Sequence, residues 1–399
     1  MCNSNQKSIV NWQWNQKATR TVSVLDTTLR DGDQTPGVHF SYEDKVAMAR
    51  MLDSQGIGVI EAGFPASSPG DFKAVHRIAE IVENAEVAAL ARCVPADIER
   101  MVEALKVARR PVGHLVLGVS DIHLTKKFNI TRPQAIKVIR DSIAQVKEHF
   151  DEVQFSFEDA TRTETAFLRN AIQVAVEAGA TRINLPDTVG CALPNEYGRM
   201  IADAVAVTKH KVRICAHCHN DLGMATANSI AAVQNGATQV EVTVNGIGER
   251  AGNASLEEVV TAIALKGVAD PGVSLTGLTR LSKRVESMTG IVVPPIKAVV
   301  GENAFTHSSG IHQDGVLKDP AVYECFAPSI VGRDGHRFVL TARSGRAAVR
   351  RVMSDMGYSM QDDEMESFFD AFLKFADEAE GPVESSEMKA IYEEQRVSY

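Results

Sequence analysis

The chain has 399 residues, of which 44% are hydrophobic and 23% are charged, which is the balance of a globular protein with room for one large domain and an appendage. Its net charge of -9 disfavours nucleic acid or an anionic membrane as the main partner. Residues 1–20 lack the apolar core of a signal peptide, and no apolar run approaches the roughly 18 residues that a membrane span needs. We therefore expect a cytoplasmic protein.

From Thr21 onward, short apolar runs rich in β-forming residues alternate with longer amphipathic stretches. The predicted strands are 22–27, 58–64, 86–92, 113–119, 152–157, 181–186, 212–217 and 239–244. The predicted helices are 42–55, 71–83, 96–109, 132–149, 164–178, 195–208, 223–235 and 254–266. This alternation over about 250 residues predicts an α/β fold, a (β/α)8 TIM barrel. A doubly wound open sheet is the alternative, because a count of units does not prove closure.

The alternation stops past residue 270, where a Pro294-Pro295 pair and a run rich in Gly, His and Ser separate further helical stretches. Those helices are predicted at 276–289, 344–356 and 361–379. We predict four regions: a polar N-terminal extension (1–20), the catalytic barrel (21–270), a linker with a helical subdomain (271–380) and an acidic, mobile tail (381–399).

The only C-x-x-C pattern among the six cysteines is Cys215 and Cys218, which flank His217. A redox pair or a zinc knuckle is conceivable, but no second C-x-x-C completes a structural zinc site. We expect ordinary thiols in a reducing compartment.

Charged and imidazole side chains follow two of the predicted strands. Arg30 and Asp31 come after the first strand, and His217 and His219 end the seventh. Residues two apart in a strand point to the same face, so both imidazoles can reach one point at the barrel mouth, where Asp31 would complete a metal site. Such ligands suit Mn²⁺, Fe²⁺, Co²⁺ or Zn²⁺, and Mg²⁺ is an option. The structural alternative is that His217 caps the sheet and His219 starts the next helix.

Two further charged residues follow strand ends. Arg30 either forms a salt bridge with a nearby carboxylate (Asp26, Asp33 or Glu61) or stabilises negative charge that develops on a substrate oxygen. Glu158, after the fifth strand, could fix Arg30, orient a substrate or relay a proton. Its structural alternative is neutralisation of Arg30 or Arg162.

Three later segments also carry candidate residues. Thr188 offers a hydroxyl after the sixth strand, for a substrate carboxylate or for a helix cap. The glycine-rich residues 245–253 follow the eighth strand; they are a weak phosphate-loop match, but their glycines allow close approach to a ligand and Asn253 could reach the metal. Residues 305–315 hold two His in a glycine-rich run with Tyr323 beyond, which could supply an acid or a base.

These residues together resemble the metal-dependent 2-isopropylmalate/homocitrate synthase family, which condenses acyl-CoA with 2-oxo acids. The resemblance covers about residues 21–350. It is carried in order by residues 26–37 (DTTLRDGDQTPG), 61–72 (EAGFPASSPGDF), 156–164 (SFEDATRTE), 184–190 (NLPDTVG), 216–223 (AHCHNDLG), 245–255 (NGIGERAGNAS) and 309–318 (SGIHQDGVLK).

The resemblance implies roles for individual residues. The implied metal ligands, for Mn²⁺, Mg²⁺ or Zn²⁺, are Asp31, His217, His219 and Asn253. The implied catalytic residues are Arg30, Glu158, His312 and Tyr323, the last two acting across the subunits of a homodimer. The implied substrate contacts are Arg30, His114, Ser156 and Thr188, and the implied acetyl-CoA contacts are Asn245, Gly246 and Gly248.

The implied reaction joins acetyl-CoA to 3-methyl-2-oxobutanoate to give 2-isopropylmalate and CoA, the first committed step of leucine synthesis. The alternative is the same chemistry on 2-oxoglutarate, pyruvate or an aryl keto acid, since one methylene changes binding by only about 1–3 kcal/mol. The helices after residue 307 argue against a lyase, and the joint presence of the site residues argues against a non-catalytic sensor. Asp33 stands where the family usually has Glu, and we expect this to be tolerated. Longer members continue into a leucine-binding domain, so we expect no inhibition by leucine.

Overall fold

The computed structural model describes residues 20–397, which form two units that divide between residues 293 and 294. In the first unit, eight parallel strands close a barrel in chain order. They are β1 (Ser23–Asp26), β2 (Val59–Glu61), β3 (Glu86–Arg92), β4 (Pro111–Gly118), β5 (Glu152–Glu158), β6 (Arg182–Asp187), β7 (Arg213–Cys218) and β8 (Gln239–Val242). Leu25 of β1 pairs with Val59 of β2 on one side and with Glu241 of β8 on the other, so the sheet has no free edge. The predicted (β/α)8 barrel is confirmed, and the open sheet is excluded.

A helix follows each strand of the barrel, as the amphipathic stretches predicted. These helices are α1 (Tyr42–Ser54), α2 (Pro69–Ile81), α3 (Pro95–Leu105), α4 (Arg132–Lys147), α5 (Thr165–Glu177), α6 (Pro194–Thr208), α7 (Ala225–Gln234) and α8 (Leu256–Leu265). Several start at clear capping residues. Ser41 and Ser68 accept the backbone N–H three residues on, and Thr131 and Gln134 form a reciprocal capping box.

The barrel contains an apolar cluster and, where β3, β5 and β6 begin, a buried charged group. Leu25, Val59, Ala88 and Val112 form a buried cluster contributed by β1 to β4. Arg182 of β6 is wholly buried, and its guanidinium pairs with Glu86 at 2.7 Å and with Glu152 at 2.8 Å. A buried cation is tolerated only where such partners offset its desolvation.

One irregular element lies beside the barrel rim. Residues 123–128, after β4, form a short π-helical turn that ends at Asn129 in the left-handed conformation (φ 54°). This turn is not among the elements predicted from the sequence. Turns of this kind are frequent at functional sites, and this one carries Lys127 to the site described below.

The first unit extends further along the chain than predicted. Helix α9 (Leu278–Thr289) buries Leu278, Leu281 and Val285 and belongs to the same compact unit as the barrel. The predicted boundary at residue 270 was therefore too early, because α9 presents an apolar face that packs within this unit.

The second unit has its own apolar core. It contains a short parallel pair, β9 (Thr306–His307) with β10 (Arg337–Phe338), and the helices α10 (Gly310–Lys318), α11 (Arg346–Asp355), α12 (Asp362–Glu378) and α13 (Ser385–Val397). Val349, Phe368, Phe372 and Met388 are among its fully buried residues.

The prediction of a mobile tail over 381–399 was wrong for residues 385–397, which form α13. Met388, Ile391 and Tyr392 lie at helical spacing and pack into the core of the second unit. The acidic residues of the other face concealed this pattern. Residues 1–19, which include nearly all of the predicted extension, and residues 398–399 lie outside the described residues. Within residues 20–397, no helix is long and apolar enough to cross a membrane.

Candidate active site

A tight turn at the end of β1 brings two of the predicted residues to the barrel rim. The carbonyl of Thr27 accepts the backbone N–H groups of Arg30, Asp31 and Gly32 at 3.1, 2.9 and 3.1 Å. This arrangement reverses the chain within five residues of the strand. Arg30 and Asp31 therefore lie at the carboxyl end of the barrel, where enzymes of this fold carry their chemistry.

The end of β7 supplies the two imidazoles, and the loop after β8 joins it. His217 is in β7, and His219 forms an isolated bridge with Asn253. The flanking hydrogen bonds, Asn220 N–H to Gly252 O (2.9 Å) and Ala254 N–H to Cys218 O (3.0 Å), hold this loop against the strand end. The alternative in which His219 starts a helix is wrong, because α7 begins only at Ala225.

The ligand atoms of Asp31, His217 and His219 converge on one point. Asp31 Oδ2 lies 3.2 Å from His217 Nε2 and 3.8 Å from His219 Nε2, and the two Nε2 atoms are 3.3 Å apart. All three residues are buried, and one ligand atom from each lies within 4.8 Å of the others. Asn253 is also buried, and its Oδ1 has no hydrogen-bond partner among the described residues. The two imidazoles and the carboxylate suit a divalent transition metal or Mg²⁺, and Asn253 as a further ligand stays a prediction.

Mutual charge interactions set the protonation of these groups. Burial alone lowers the pKa of His217, but hydrogen bonds to Asp31 and Glu241 raise it to about 9. Burial and the neighbouring His217 lower the pKa of His219 to about 4. Burial opposes ionisation of Asp31, yet Arg30 and His217 hold the pKa of this carboxyl well below its usual range. An arriving metal ion would therefore replace the proton of His217.

The partner of Arg30 is Glu61 at the end of β2. Arg30 Nε donates to Glu61 Oε2 at 2.7 Å, and its NH1 atom lies 3.4 Å from Asp31 Oδ2. The other two proposed partners are occupied elsewhere: Asp26 Oδ1 accepts the N–H of Thr28, and Asp33 pairs with Lys45 at 2.8 Å. The carboxylate of Glu61 thus holds the guanidinium of Arg30 beside the ligand cluster.

Glu61 is the centre of a buried network that also includes two predicted substrate contacts. It accepts from Thr27 Oγ1 at 2.6 Å and bonds His114 Nδ1 at 2.5 Å. His114 Nε2 in turn bonds Ser156 Oγ at 2.6 Å. Both ring nitrogens of His114 are therefore engaged inside the barrel, whereas Ser156 reaches the cavity wall. From the sequence, Glu61 was expected only as one of three possible partners of Arg30.

Glu158 does not hold Arg30 or Arg162, contrary to two of the roles considered for it. Its carboxylate oxygens lie 2.8 and 2.7 Å from Lys127 Nζ, on the π-helical turn after β4. Arg162 is held instead by Asp159 at 2.8 Å. Sequence reasoning missed Lys127 because its turn has neither strand nor helix periodicity.

A cavity of about 260 Å³ opens over this cluster at the mouth of the barrel. Its wall includes apolar side chains (Leu90, Val116 and Pro186), the ligand cluster, and Arg30, Lys127, Ser156, Glu158, Thr188, Glu249 and Arg250. The strand-end residues singled out from the sequence therefore largely line one cavity. It has room for a small molecule beside the proposed metal position.

Thr188 and the loop after β8 also have contacts within the protein. Thr188 Oγ1 accepts the N–H of Asp159 at 2.8 Å. Asn245 adopts a positive φ of 63° and its Nδ2 donates to Ser282 O at 3.0 Å. A Cβ on Gly248 (φ 157°) would lie 2.1 Å from Asn253 Nδ2, and one on Gly246 (φ 70°) would lie 2.6 Å from Ser255 Oγ. Packing within the loop thus requires these glycines, and contact of Asn245, Gly246 and Gly248 with acetyl-CoA stays a prediction.

Cys215 and Cys218 are buried free thiols. Burial raises the pKa of Cys218 to about 12, so it remains protonated. This is the behaviour of ordinary core cysteines.

His312 and Tyr323 lie in the second unit and contact each other. Their rings stack with centroids 4.1 Å apart, His312 is exposed, and 42% of Tyr323 is accessible. Both rings are accessible at the surface of the second unit, and the catalytic roles implied for them stay predictions.

Comparison with known proteins identifies the family. Residues 21–285 match the HMGL-like family model, and residues 299–380 match the homocitrate synthase post-HMGL domain-like model. The 2-isopropylmalate synthase of Geobacillus sp. (strain WCH70) is 44% identical over 380 residues, covering 94% of this chain and 74% of the relative. That of Listeria innocua is 46% identical over 363 residues, covering 90% and 71%. The chain belongs to the 2-isopropylmalate synthase family.

Solved structures with the same fold have lower sequence identity to this chain. A hydroxymethylglutaryl-CoA lyase from Pseudomonas aeruginosa superposes with a TM-score of 0.61 at 18% identity, covering 70% of this chain and 96% of that one. The carboxyl transferase domain of Rhizobium etli pyruvate carboxylase gives 0.51 at 17% identity, covering 69% and 47%. At this identity they support the barrel fold alone.

Proposed function

We propose that this protein condenses acetyl-CoA with 3-methyl-2-oxobutanoate and hydrolyses the thioester, giving 2-isopropylmalate and CoA. The observation that carries the proposal is the buried Asp31, His217 and His219 cluster beside Arg30, in a chain 44–46% identical to relatives named for this activity. The reaction provides the first committed intermediate of leucine synthesis.

The proposed metal is Mn²⁺, Mg²⁺ or Zn²⁺, held by Asp31, His217 and His219 with Asn253 Oδ1 as a further ligand. A divalent ion held by these residues would supply Lewis-acid polarisation of the ketone of the 2-oxo acid. Arg30 lies next to Asp31, where its guanidinium would stabilise the negative charge that the ketone oxygen gains as the new carbon–carbon bond forms. Glu61 keeps the guanidinium in that orientation.

The wall of the cavity favours a short apolar acceptor. Leu90, Val116 and Pro186 provide apolar surface, and two of the cations in the lining are already paired, Lys127 with Glu158 and Arg250 with Asp221. A second substrate carboxylate, as in 2-oxoglutarate, would have to displace one of these pairs. The branched methyl groups of 3-methyl-2-oxobutanoate need no such partner.

The acceptor can be tested by measuring CoA release from acetyl-CoA across a panel of 2-oxo acids. We expect the largest kcat/KM with 3-methyl-2-oxobutanoate, and about 10-fold or more lower values with pyruvate, which lacks two methyl groups of apolar contact. The product should be identified by mass. A higher kcat/KM with 2-oxoglutarate, pyruvate or an aryl keto acid would assign the chain to that reaction and refute the proposed acceptor.

We further propose that His312 removes a methyl proton of acetyl-CoA, with Tyr323 as its companion, and that both come from the neighbouring subunit of a homodimer. The stacked and exposed rings support a role at a surface that meets another molecule. The enolate formed by this proton transfer attacks the ketone carbon, and water then cleaves the thioester.

Subunit complementation tests this arrangement. Arg30→Ala and His312→Ala should each be inactive as homodimers, because each site then lacks one of the two residues. A heterodimer carrying one copy of each variant, isolated with two different tags, should regain up to about half of the wild-type kcat, since one of its sites has both native residues. Heterodimers as inactive as the parents would contradict the proposed exchange.

A further inference from the structure

The barrel interior contains a buried carboxylate, Glu241, that the proposed mechanism does not use. Glu241 lies in β8 and is only 1% exposed, and its backbone is in register with His217 of β7. A carboxylate inside a barrel carries a large desolvation cost unless its oxygens are hydrogen bonded. The contacts of Glu241 therefore indicate what this residue is for.

Three side chains satisfy the two oxygens of Glu241. Oε1 accepts from Gln154 Nε2 at 2.6 Å, and Oε2 accepts from Asn184 Nδ2 at 3.1 Å and from His217 Nδ1 at 3.0 Å. Gln154 is itself held by Gln239 Nε2 at 2.8 Å. Two of the three partners are neutral amides, so the imidazole of His217 is the group that the carboxylate orients and polarises.

The contact with Nδ1 determines which nitrogen of His217 faces the ligand cluster. When Nδ1 donates its proton to Glu241, the lone pair of the neutral ring is on Nε2, which points toward Asp31 Oδ2 at 3.2 Å. His219 has no equivalent support, because its buried Nδ1 has no hydrogen-bond partner among the described residues. The two imidazoles are therefore positioned differently, and only His217 is anchored from behind.

We propose that Glu241 is a positioning residue for the metal centre: it fixes the ring orientation and tautomer of His217, while Gln154 and Asn184 hold its carboxylate in place. The inference rests on the proposed function, because it assumes that Asp31, His217 and His219 bind a divalent ion. Partners behind a ligating histidine commonly change metal affinity by about 10–100-fold.

The test is Mn²⁺ binding by the metal-free protein, measured by electron paramagnetic resonance of free Mn²⁺ and by calorimetry. Glu241→Gln preserves the volume of the side chain but replaces one carboxylate oxygen with an NH₂ group. The variant therefore cannot accept all three hydrogen bonds from Gln154, Asn184 and His217. We expect its Kd for Mn²⁺ to be about 10–100-fold higher than that of the wild type. The matched control is Asp187→Asn, another wholly buried carboxylate, whose side chain contacts Thr161 and the N–H groups of Cys191 and Ala192 and which should retain the wild-type Kd.

A second variant keeps the test decisive if Glu241→Gln does not fold. Gln154→Met removes a hydrogen bond to Glu241 without altering the carboxylate or His217, and we expect it to weaken Mn²⁺ binding by about threefold or more. Wild-type affinity in the folded variants, with wild-type protein that binds Mn²⁺, would overturn the role of Glu241 alone. Wild-type protein that binds no divalent ion would overturn the metal centre as well. An equal loss in Asp187→Asn would show a general effect of buried carboxylates and would also overturn the proposal.

Discussion

Replacing Arg30 with Ala is expected to lower kcat for condensation by about 10²–10³, the effect of removing one preorganised donor to a developing oxyanion. The reason is geometric. The guanidinium is held by Glu61 at 2.7 Å and lies 3.4 Å from Asp31, which places it beside the ligand cluster. Arg30→Lys should recover little of the lost kcat, because a lysine ammonium cannot contact Glu61 and reach the side of Asp31 at the same time, as the planar guanidinium does.

Steady-state CoA release with saturating substrates measures this effect, and Mn²⁺ binding separates it from loss of the metal. The variant should bind Mn²⁺ at least as tightly as the wild type, because a positive charge next to Asp31 has been removed. Arg169→Ala, which breaks an exposed ion pair with Asp203, is the matched control and should keep full activity. A kcat within threefold of wild type in Arg30→Ala would exclude this residue from catalysis.

Replacing Asp31 with Asn is expected to abolish tight binding of a divalent ion, and with it measurable condensation. The change keeps the size of the side chain but removes the only carboxylate of the Asp31, His217 and His219 cluster. Wild-type protein treated with a chelator should lose activity and regain it on addition of Mn²⁺, Mg²⁺ or Zn²⁺, whereas the variant should not recover. Calorimetry on both metal-free proteins measures the loss of affinity directly.

Asp33→Asn is the control for this prediction, because it removes a carboxylate two residues away. Asp33 pairs with Lys45 at 2.8 Å and accepts the N–H of Phe40 at 3.0 Å, so it is engaged away from the cluster. We expect its affinity for Mn²⁺ to match the wild type. Equal loss in both variants, or undiminished binding by Asp31→Asn, would contradict the assigned ligand.

Much of the barrel was predictable because the hydrophobic pattern of each segment matches the burial of that segment in the folded barrel. Parallel strands buried on both faces carry continuous apolar runs, as in residues 87–91 of β3, and the helices between them are amphipathic, with α4 closed by a capping box. The grouping of His217, His219 and Asp31 was predictable for a related reason. Spacing of two in a strand places both imidazoles on one face, and all parallel strands end at the same rim.

Two elements were missed because their local signal was weak or misleading. The π-helical turn that carries Lys127 has no regular period to detect. Helix α13 has an acidic composition typical of a solvated tail, yet Met388, Ile391 and Tyr392 find apolar partners in α11 and α12. Only the presence of that core makes burial of these three side chains favourable.

The sequence by itself determined where the strands and helices lie, that there are eight strand–helix units, and which residue types follow each strand. These features depend on short-range spacing along the chain. The tertiary structure alone decided which charged groups pair. Glu61, rather than Asp26 or Asp33, holds Arg30 across 31 residues, and Gln154 holds Glu241 across 87. Such partners are chosen by the register and closure of the barrel, which bring distant strands side by side, and by the cost of leaving any buried charge without a partner.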